Sequence, residues 1–271
     1  MSSRFWRRSI FWPSDHGSWV FVASPLLIGL VAGGTWRTTS SYLVVAAICG
    51  FLVRQPITTA VKALSGRRSR DDLPAALLWT ALYASIALIL MLGLHLRGYT
   101  YVLFLAIPGM LFFTWYLYLV SRREERGKIQ MGLLGTAVLA LVAPAGYWIG
   151  KGAPEPLGWL LWALAWAQSA ASLLCVYLRL RQRVLTASPE RHRLLKVALP
   201  AFTFCSVNLL GVLLLGVMGV TAKWLFVAFL PQWLEALSCI SHPATGWKPT
   251  KIGYRQLGIS TLFTLLFVLM W

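Results

Sequence analysis

Nine apolar runs separated by short polar or basic segments organise the chain. They cover Trp19–Gly34, Tyr42–Leu64, Pro74–Leu96, Thr100–Val120, Gln130–Gly150, Leu157–Leu178, Leu199–Val220, Lys223–Ile240 and Gln256–Trp271. An α-helix needs about 20 apolar residues to cross the hydrocarbon of a bilayer. Most of the runs meet that length, and each predicts a membrane-spanning helix. The first run and the last two are short, so they must extend into their flanks or tilt less than the others. Eight spans is the alternative count, because only a short turn near Gly219–Lys223 separates the seventh and eighth runs. Pro25, Pro56, Pro108, Pro144 and Pro231 lie inside runs and predict kinks, which membrane helices tolerate where neighbours repair the lost hydrogen bond. Trp12, Trp19, Trp36, Trp148, Trp159, Trp224 and Trp271 fall near run ends, where indoles settle at the membrane interface. Trp115, Trp162 and Trp166 fall deeper and are expected to pack internally.

Composition agrees with that pattern. Of the 271 residues, 58% are hydrophobic and 12% charged. A soluble domain carries about 25% charged residues, so the polar side chains here are too few to cover a water-exposed surface. The runs leave no stretch long or polar enough for a separate soluble domain, and residues 1–271 are expected to form a single transmembrane helical domain. The basic N-terminal stretch Met1–Ile10 is not followed by a short apolar core with a small-residue cleavage site, so the first run is expected to be a permanent span rather than a signal peptide.

Charge orients the spans. Lys and Arg number 25 against 8 acids, a net charge of +17. In a soluble protein this would point to nucleic acid, but in a membrane protein basic loops fix topology and touch anionic headgroups, so no nucleic-acid partner is expected. With the N-terminus in the cytoplasm and nine spans, the outer segments hold only Arg37, Arg97, Lys151 and Lys223. That asymmetry is what the positive-inside rule requires. The expected topology is therefore N-in and C-out, in the cytoplasmic (inner) membrane.

A few polar residues stand out against this background. Arg54 follows Gly50-Phe51-Leu52-Val53 and precedes Gln55-Pro56. An intramembrane charge is costly unless paired or hydrated, so Arg54 either snorkels to headgroups or faces a polar cavity. Thr58 and Lys62 follow it on the same helical face. Glu235 is the lone acid of the eighth run and calls for a cation such as Arg54 or Arg179. Arg179 and Arg183 lie one turn apart, a guanidinium face suited to phosphate or carboxylate or simply a solvated charge run. Asp15 reads as a helix N-cap or a ligand contact, and His16 beside it as an acid, a base or an anion contact. Cys49, Cys175, Cys205 and Cys239 sit in apolar runs without CxxC spacing and read as buried hydrophobes. No Walker loop, HExxH or paired intramembrane carboxylates are present. No metal site and no cofactor are expected.

These residues form a pattern that resembles the bacterial YwiC-like family. The opening Asp15-His16-Gly17-Ser18-Trp19, with Pro25 and Gly29, is similar to that family's HGxW start. The stretches Arg54-Gln55-Pro56, Arg122-Arg123-Glu124-Glu125-Arg126, the glycine-rich span with Pro144, and Lys248-Pro249-Thr250-Lys251-Ile252-Gly253 agree in order. On those stretches the resemblance covers most of the chain. An acid often follows the closing segment in the family, whereas Tyr254-Arg255-Gln256 stands here. The resemblance implies a membrane architecture and no particular mechanism. A more distant fold-level likeness is to the UbiA prenyltransferases, whose nine spans enclose a cavity open to the cytoplasm with aspartate-rich Mg–diphosphate motifs. The corresponding places here, 54–62 and 177–183, hold cations and no acid.

The expectation is thus an all-α, UbiA-like bundle that binds an anionic, lipid-soluble molecule in a cationic cavity on the cytoplasmic side. Candidate ligands are an isoprenoid diphosphate, a quinone precursor or a phospholipid. Arg54, Lys62, Arg179 and Arg183 would meet the headgroup, with Asp15 and Glu235 beside them. A metal-independent prenyl or lipid transferase is one form this takes, with guanidinium groups in place of Mg and His16 as acid or base. The alternatives are a small-anion transporter and an accessory subunit with a membrane-complex partner.

Overall fold

The computed structural model describes residues 6–13, 16–124, 129–184 and 191–271, with the side chains of Arg8, His16 and 191–193 outside that description. Every regular element among the described residues is helical. Seven helical segments are long and apolar enough to cross a membrane: Thr38–Leu64, Arg70–Leu96, Thr100–Arg122, Ile129–Lys151, Pro156–Gln182, Leu194–Val217 and Pro249–Met270. The first and eighth apolar runs fall on the shorter apolar helices Gly17–Gly33 and Leu225–Ser241. The last run is longer than the hydropathy pattern alone indicates. Its helix starts at Pro249, a residue preorganised for a first turn, and takes in Lys251 and Arg255.

The chain divides into two compact units, Met1–Trp159 and Leu160–Trp271. In the first, α1 (Val20–Gly33) packs along α7 (Val142–Lys151). Gly29 and Gly33 face Gly146 and Gly150, two G-x-x-x-G steps laid against each other. A Cβ on Gly29 would come 2.1 Å from the Ala143 carbonyl oxygen, and one on Gly150 would come 2.7 Å from the Gly33 Cα. In lipid, helices associate by such close backbone approach, because burying apolar surface gives no advantage over acyl chains. Gly34, at φ 78°, ends α1 in the left-handed conformation that glycine adopts freely.

Helices α2 (Thr38–Leu64) and α3 (Leu73–Leu96) form the main hairpin of this unit. Below it, Arg68 Nε meets Asp72 at 2.7 Å, and Arg7 lies 3.8 Å from the same carboxylate. Gln55 Nε2 donates to the Ser9 carbonyl at 3.0 Å, tying the helical turn Arg8–Phe11 to α2. Ile10 is fully buried against Ala60, Ala75 and Ala76.

The next two spans are each interrupted just before a proline, whereas Pro25 and Pro56 lie inside unbroken helices. The third span is interrupted at Leu105, between α4 (Thr100–Phe104) and α5 (Ala106–Arg122). The fourth is interrupted at 140–141, between α6 (Ile129–Leu139) and α7. Pro108 and Pro144 each follow the break by a few residues. A proline clashes with the carbonyl four residues back, which is Phe104 for the first and Ala140 for the second. Trp115, expected to pack internally, is 46% exposed on the apolar face of α5. Trp148, expected at the interface, is buried and donates its indole N–H to the Glu155 carbonyl at 2.8 Å.

In the second unit, α8 (Pro156–Gln182), α9 (Arg191–Val217) and α10 (Leu230–Ser241) surround a core of Ala171, Cys175, Leu178, Ala198, Ala201, Cys205, Ala236 and Cys239, and α11 (Pro249–Met270) packs against α10. These three cysteines and Cys49 are buried, as their apolar setting predicts. A 3-10 turn at Leu225–Phe229 leads into α10, where Pro231 occupies the first turn.

Candidate functional site

Arg54 sits half-buried on α2. Its carbonyl accepts from Thr58 Oγ1 at 2.7 Å, which joins the two residues on one face as the spacing predicts. Its guanidinium carbon lies 4.9 Å from the centre of the Phe51 ring, within cation–π range. It also borders a cavity of 380 Å³ built from α1 through α7. That volume falls within the range of small-molecule pockets, about 300–1,000 Å³.

The cavity exists because facing helices present small residues. Ala46, Ala47 and Gly50 on α2 look toward Gly109 on α5, Gly135 on α6 and Ala145 on α7. The rest of the wall is apolar, with Phe51, Met91, Met110, Phe112 and Phe113 among its larger members. Arg54 is the one charged residue among the described lining residues, and along α2 it is the last of them. Chemically, this is a greasy slot with a guanidinium at the α2 limit. Lys62, two turns further on, is half-buried but does not line the slot.

The other expected residues fall into a different arrangement. Arg179 on α8 is 2% exposed and Glu235 on α10 is 4% exposed. They pair at 3.0 Å, and Arg255 on α11 reaches the second Glu235 oxygen at 2.7 Å. Arg179 also donates to Ser238 Oγ at 3.1 Å and to the His242 carbonyl. Glu235 therefore meets Arg179, one of the two partners expected for it. Arg183 is half-buried, and its carbonyl accepts from the Gly246 N–H at 3.2 Å. Asp15 lies outside the described residues, and so does the His16 side chain.

Sequence reasoning did not single out two polar features of this unit. One is Arg255, whose role shows only once α10 and α11 are placed side by side. The other is a glutamine cluster. Gln168 and Gln256 both donate to Gln232 Oε1, at 3.1 and 2.7 Å, and all three are buried. The Gln168 oxygen and the Gln232 nitrogen have no hydrogen-bond partner among the described residues. Ser172 and Ser260 meet at 3.5 Å nearby, and Gln182 reaches the Cys239 carbonyl at 2.8 Å. Single glutamines in apolar runs give little signal one at a time.

Seven apolar helices of spanning length define a multi-pass helical membrane protein. A family model described as YwiC-like protein matches residues 12–147, half of the chain, and the chain belongs to that family. The match takes in the HGxW opening, the arginine-rich stretch and Pro144. It stops short of Lys248–Gly253, so the shared region is narrower than those motifs imply. Every residue lining the Arg54 cavity falls inside it, whereas Arg179, Glu235 and Arg255 fall outside. No curated protein and no solved structure matches the chain, so the likeness to UbiA prenyltransferases finds no support there.

Proposed function

We propose that this protein binds an amphiphile with an anionic head and an apolar tail in the cavity of its first unit. The observation that carries this reading is the 380 Å³ apolar slot bordered by a single guanidinium, Arg54. Apolar walls suit a prenyl or acyl chain. A guanidinium suits a phosphate or carboxylate through bidentate hydrogen bonds. An isoprenoid diphosphate, a quinone precursor and a phospholipid all have this form.

The reading includes a topology. In this reading Gly17–Gly33 and Leu225–Ser241 cross beside the seven longer segments, with the N-terminus in the cytoplasm and the C-terminus outside. Positive-inside asymmetry supports it, and puts Arg54 in the cytoplasmic half of α2 within a bacterial inner membrane. Arg54 lines the slot, whereas Arg179 and Arg183 do not, which supports Arg54 as the head-binding group. A metal-independent prenyl or lipid transfer would add an acid or base to binding, and His16 is the proposed residue for that role.

The test is a thermal-stability titration of the purified full-length protein with isoprenoid diphosphates of increasing chain length. It is run with and without EDTA, and with Arg54→Ala beside wild type. The proposal expects stabilisation that survives EDTA and vanishes in Arg54→Ala. No shift at any chain length removes it.

A second reading, transport of a small polar or anionic solute, is favoured by one observation. Gln168, Gln232, Gln256, Ser172 and Ser260 form a buried polar seam in the second unit, beside Arg179 and Glu235. Polar groups inside membranes often mark solute pathways. Flux into proteoliposomes that is lost in Gln232→Leu would support this reading over the first.

A further inference from the structure

We propose a second, separate site on this protein: a phosphate-binding groove at the start of α11 that takes the headgroup of an anionic phospholipid. The groove has a volume of 810 Å³ and is lined by Trp247, Lys248, Thr250, Lys251, Tyr254 and Arg255, with Gly246 at its edge. None of these residues belongs to the Arg54 cavity, and all lie in the second unit.

The argument starts from charge. Glu235 is shared between two guanidiniums, Arg179 at 3.0 Å and Arg255 at 2.7 Å. One carboxylate thus answers two positive charges. Lys248 and Lys251 add two more, both exposed, and no acid lines the groove among the described residues. A local excess of cations held in fixed positions attracts an anion.

Geometry gives that excess a shape. The Trp247 indole is the hub: Lys251 Nζ lies 4.2 Å from its ring centre, Arg179 Cζ 5.2 Å and Arg255 Cζ 5.8 Å. Three cations converge on one ring, which holds them close to each other despite their mutual repulsion. Arg255 is 43% exposed at its side chain, so it is available to a ligand while its Nε holds Glu235. Tyr254, 67% exposed, and Trp247 add amphipathic aromatic surface beside the cations.

Location selects the source of the phosphate. The groove opens at the first turns of Pro249–Met270, a helix of spanning length. Half-buried Trp247 and exposed Tyr254 stand at a span end, where such aromatics sit at headgroup depth, and lysines there bind anionic lipid. Aromatic groups beside the cations can cover the glycerol and first acyl carbons, which a free phosphate lacks. An anionic phospholipid therefore fits the groove better than a soluble phosphate.

The test compares dioleoyl phosphatidylglycerol, dioleoyl phosphatidylcholine and inorganic phosphate, each titrated into detergent-purified full-length protein, with the thermal midpoint as readout. Four variants accompany wild type: Lys248→Ala/Lys251→Ala, Arg255→Ala, the control pair Arg70→Ala/Arg181→Ala, and Arg54→Ala. Wild type should be stabilised by phosphatidylglycerol and not by the other two. Removing both lysines should raise the half-saturating concentration roughly 25-fold, about fivefold for each basic residue at an anionic membrane surface. Arg255→Ala should raise it as well. The control pair removes the same charge from other exposed positions and should keep the wild-type response, whereas a response lost in Arg54→Ala but kept in the lysine variant would place the lipid in the Arg54 cavity and overturn the groove site. Equal weakening in the control pair would reduce the effect to net charge and overturn the site. Equal stabilisation by phosphatidylcholine would overturn it too, and a full response to inorganic phosphate would overturn the lipid assignment.

Discussion

Gly29 and Ala143 approach so closely that a Cβ on Gly29 would stand 2.1 Å from the Ala143 carbonyl oxygen. The obstacle is backbone, which cannot rotate away. Gly29→Ala should therefore force α1 and α7 apart and destabilise the first unit by about 1–3 kcal/mol, the usual cost of overpacking. Gly211→Ala is the matched control, since a Cβ there meets nothing within 4 Å. Thermal unfolding in detergent should separate the two, and an equal effect at both positions would remove the close-packing argument.

The Arg179–Glu235–Arg255 cluster predicts an asymmetry. Glu235 has two cations, whereas its carboxylate is the one acid paired with Arg179 among the described residues. Glu235→Leu leaves Arg179 buried without a counter-charge, at a cost of about 3–5 kcal/mol. Arg179→Leu leaves Glu235 still paired with Arg255 and should cost less. Arg179→Leu/Glu235→Leu should recover much of the Glu235→Leu loss. A double-mutant cycle measured by thermal unfolding reads all three.

The glutamine cluster offers a contrast between partial and complete removal. Gln232→Leu takes away the oxygen that accepts from both Gln168 and Gln256 and leaves two donors unmet. Intramembrane hydrogen bonds are worth on average about 0.6 kcal/mol each, so a loss on the order of 1 kcal/mol is expected. Replacing all three glutamines by leucine should cost less than Gln232→Leu alone, because no donor is then stranded.

Much of this architecture was legible from hydropathy. All nine apolar runs fall on helices, and six of the seven helical segments of spanning length among the described residues show in their apolar run alone; the seventh, Pro249–Met270, gains its length from first turns that carry Lys251 and Arg255. The exposure of Trp115 was not legible, because depth along a helix does not say which side faces lipid. Nor was the packing of Gly29 and Gly33 against Gly146 and Gly150. The spacing is visible on each helix, but the two lie over a hundred residues apart and nothing in either names the other. At the candidate site, the Arg179–Glu235 pair follows from the cost of a lone buried acid. The cavity beside Arg54 does not follow from any single residue. It arises from small side chains on four helices, a property of their arrangement rather than of any one run.

Gly50 gives a direct way to close that cavity. It lines the slot, and a Cβ there meets nothing within 4 Å. Gly50→Leu should enter empty space, improve helix propensity, and leave the thermal midpoint unchanged or raised. It should also weaken any stabilisation by an isoprenoid diphosphate. A variant that folds as well as wild type and still responds fully to ligand would show that the ligand lies elsewhere.

The measurement closest to the central claim is photoaffinity labelling with a diazirine-bearing isoprenoid diphosphate, mapped by peptide mass spectrometry on wild type and Arg54→Ala. The account predicts labels on the cavity-lining stretches 43–54 and 102–113, competed by unlabelled diphosphate and absent in Arg54→Ala. Labels confined to 160–271, or labels indifferent to competitor and to Arg54, would contradict it.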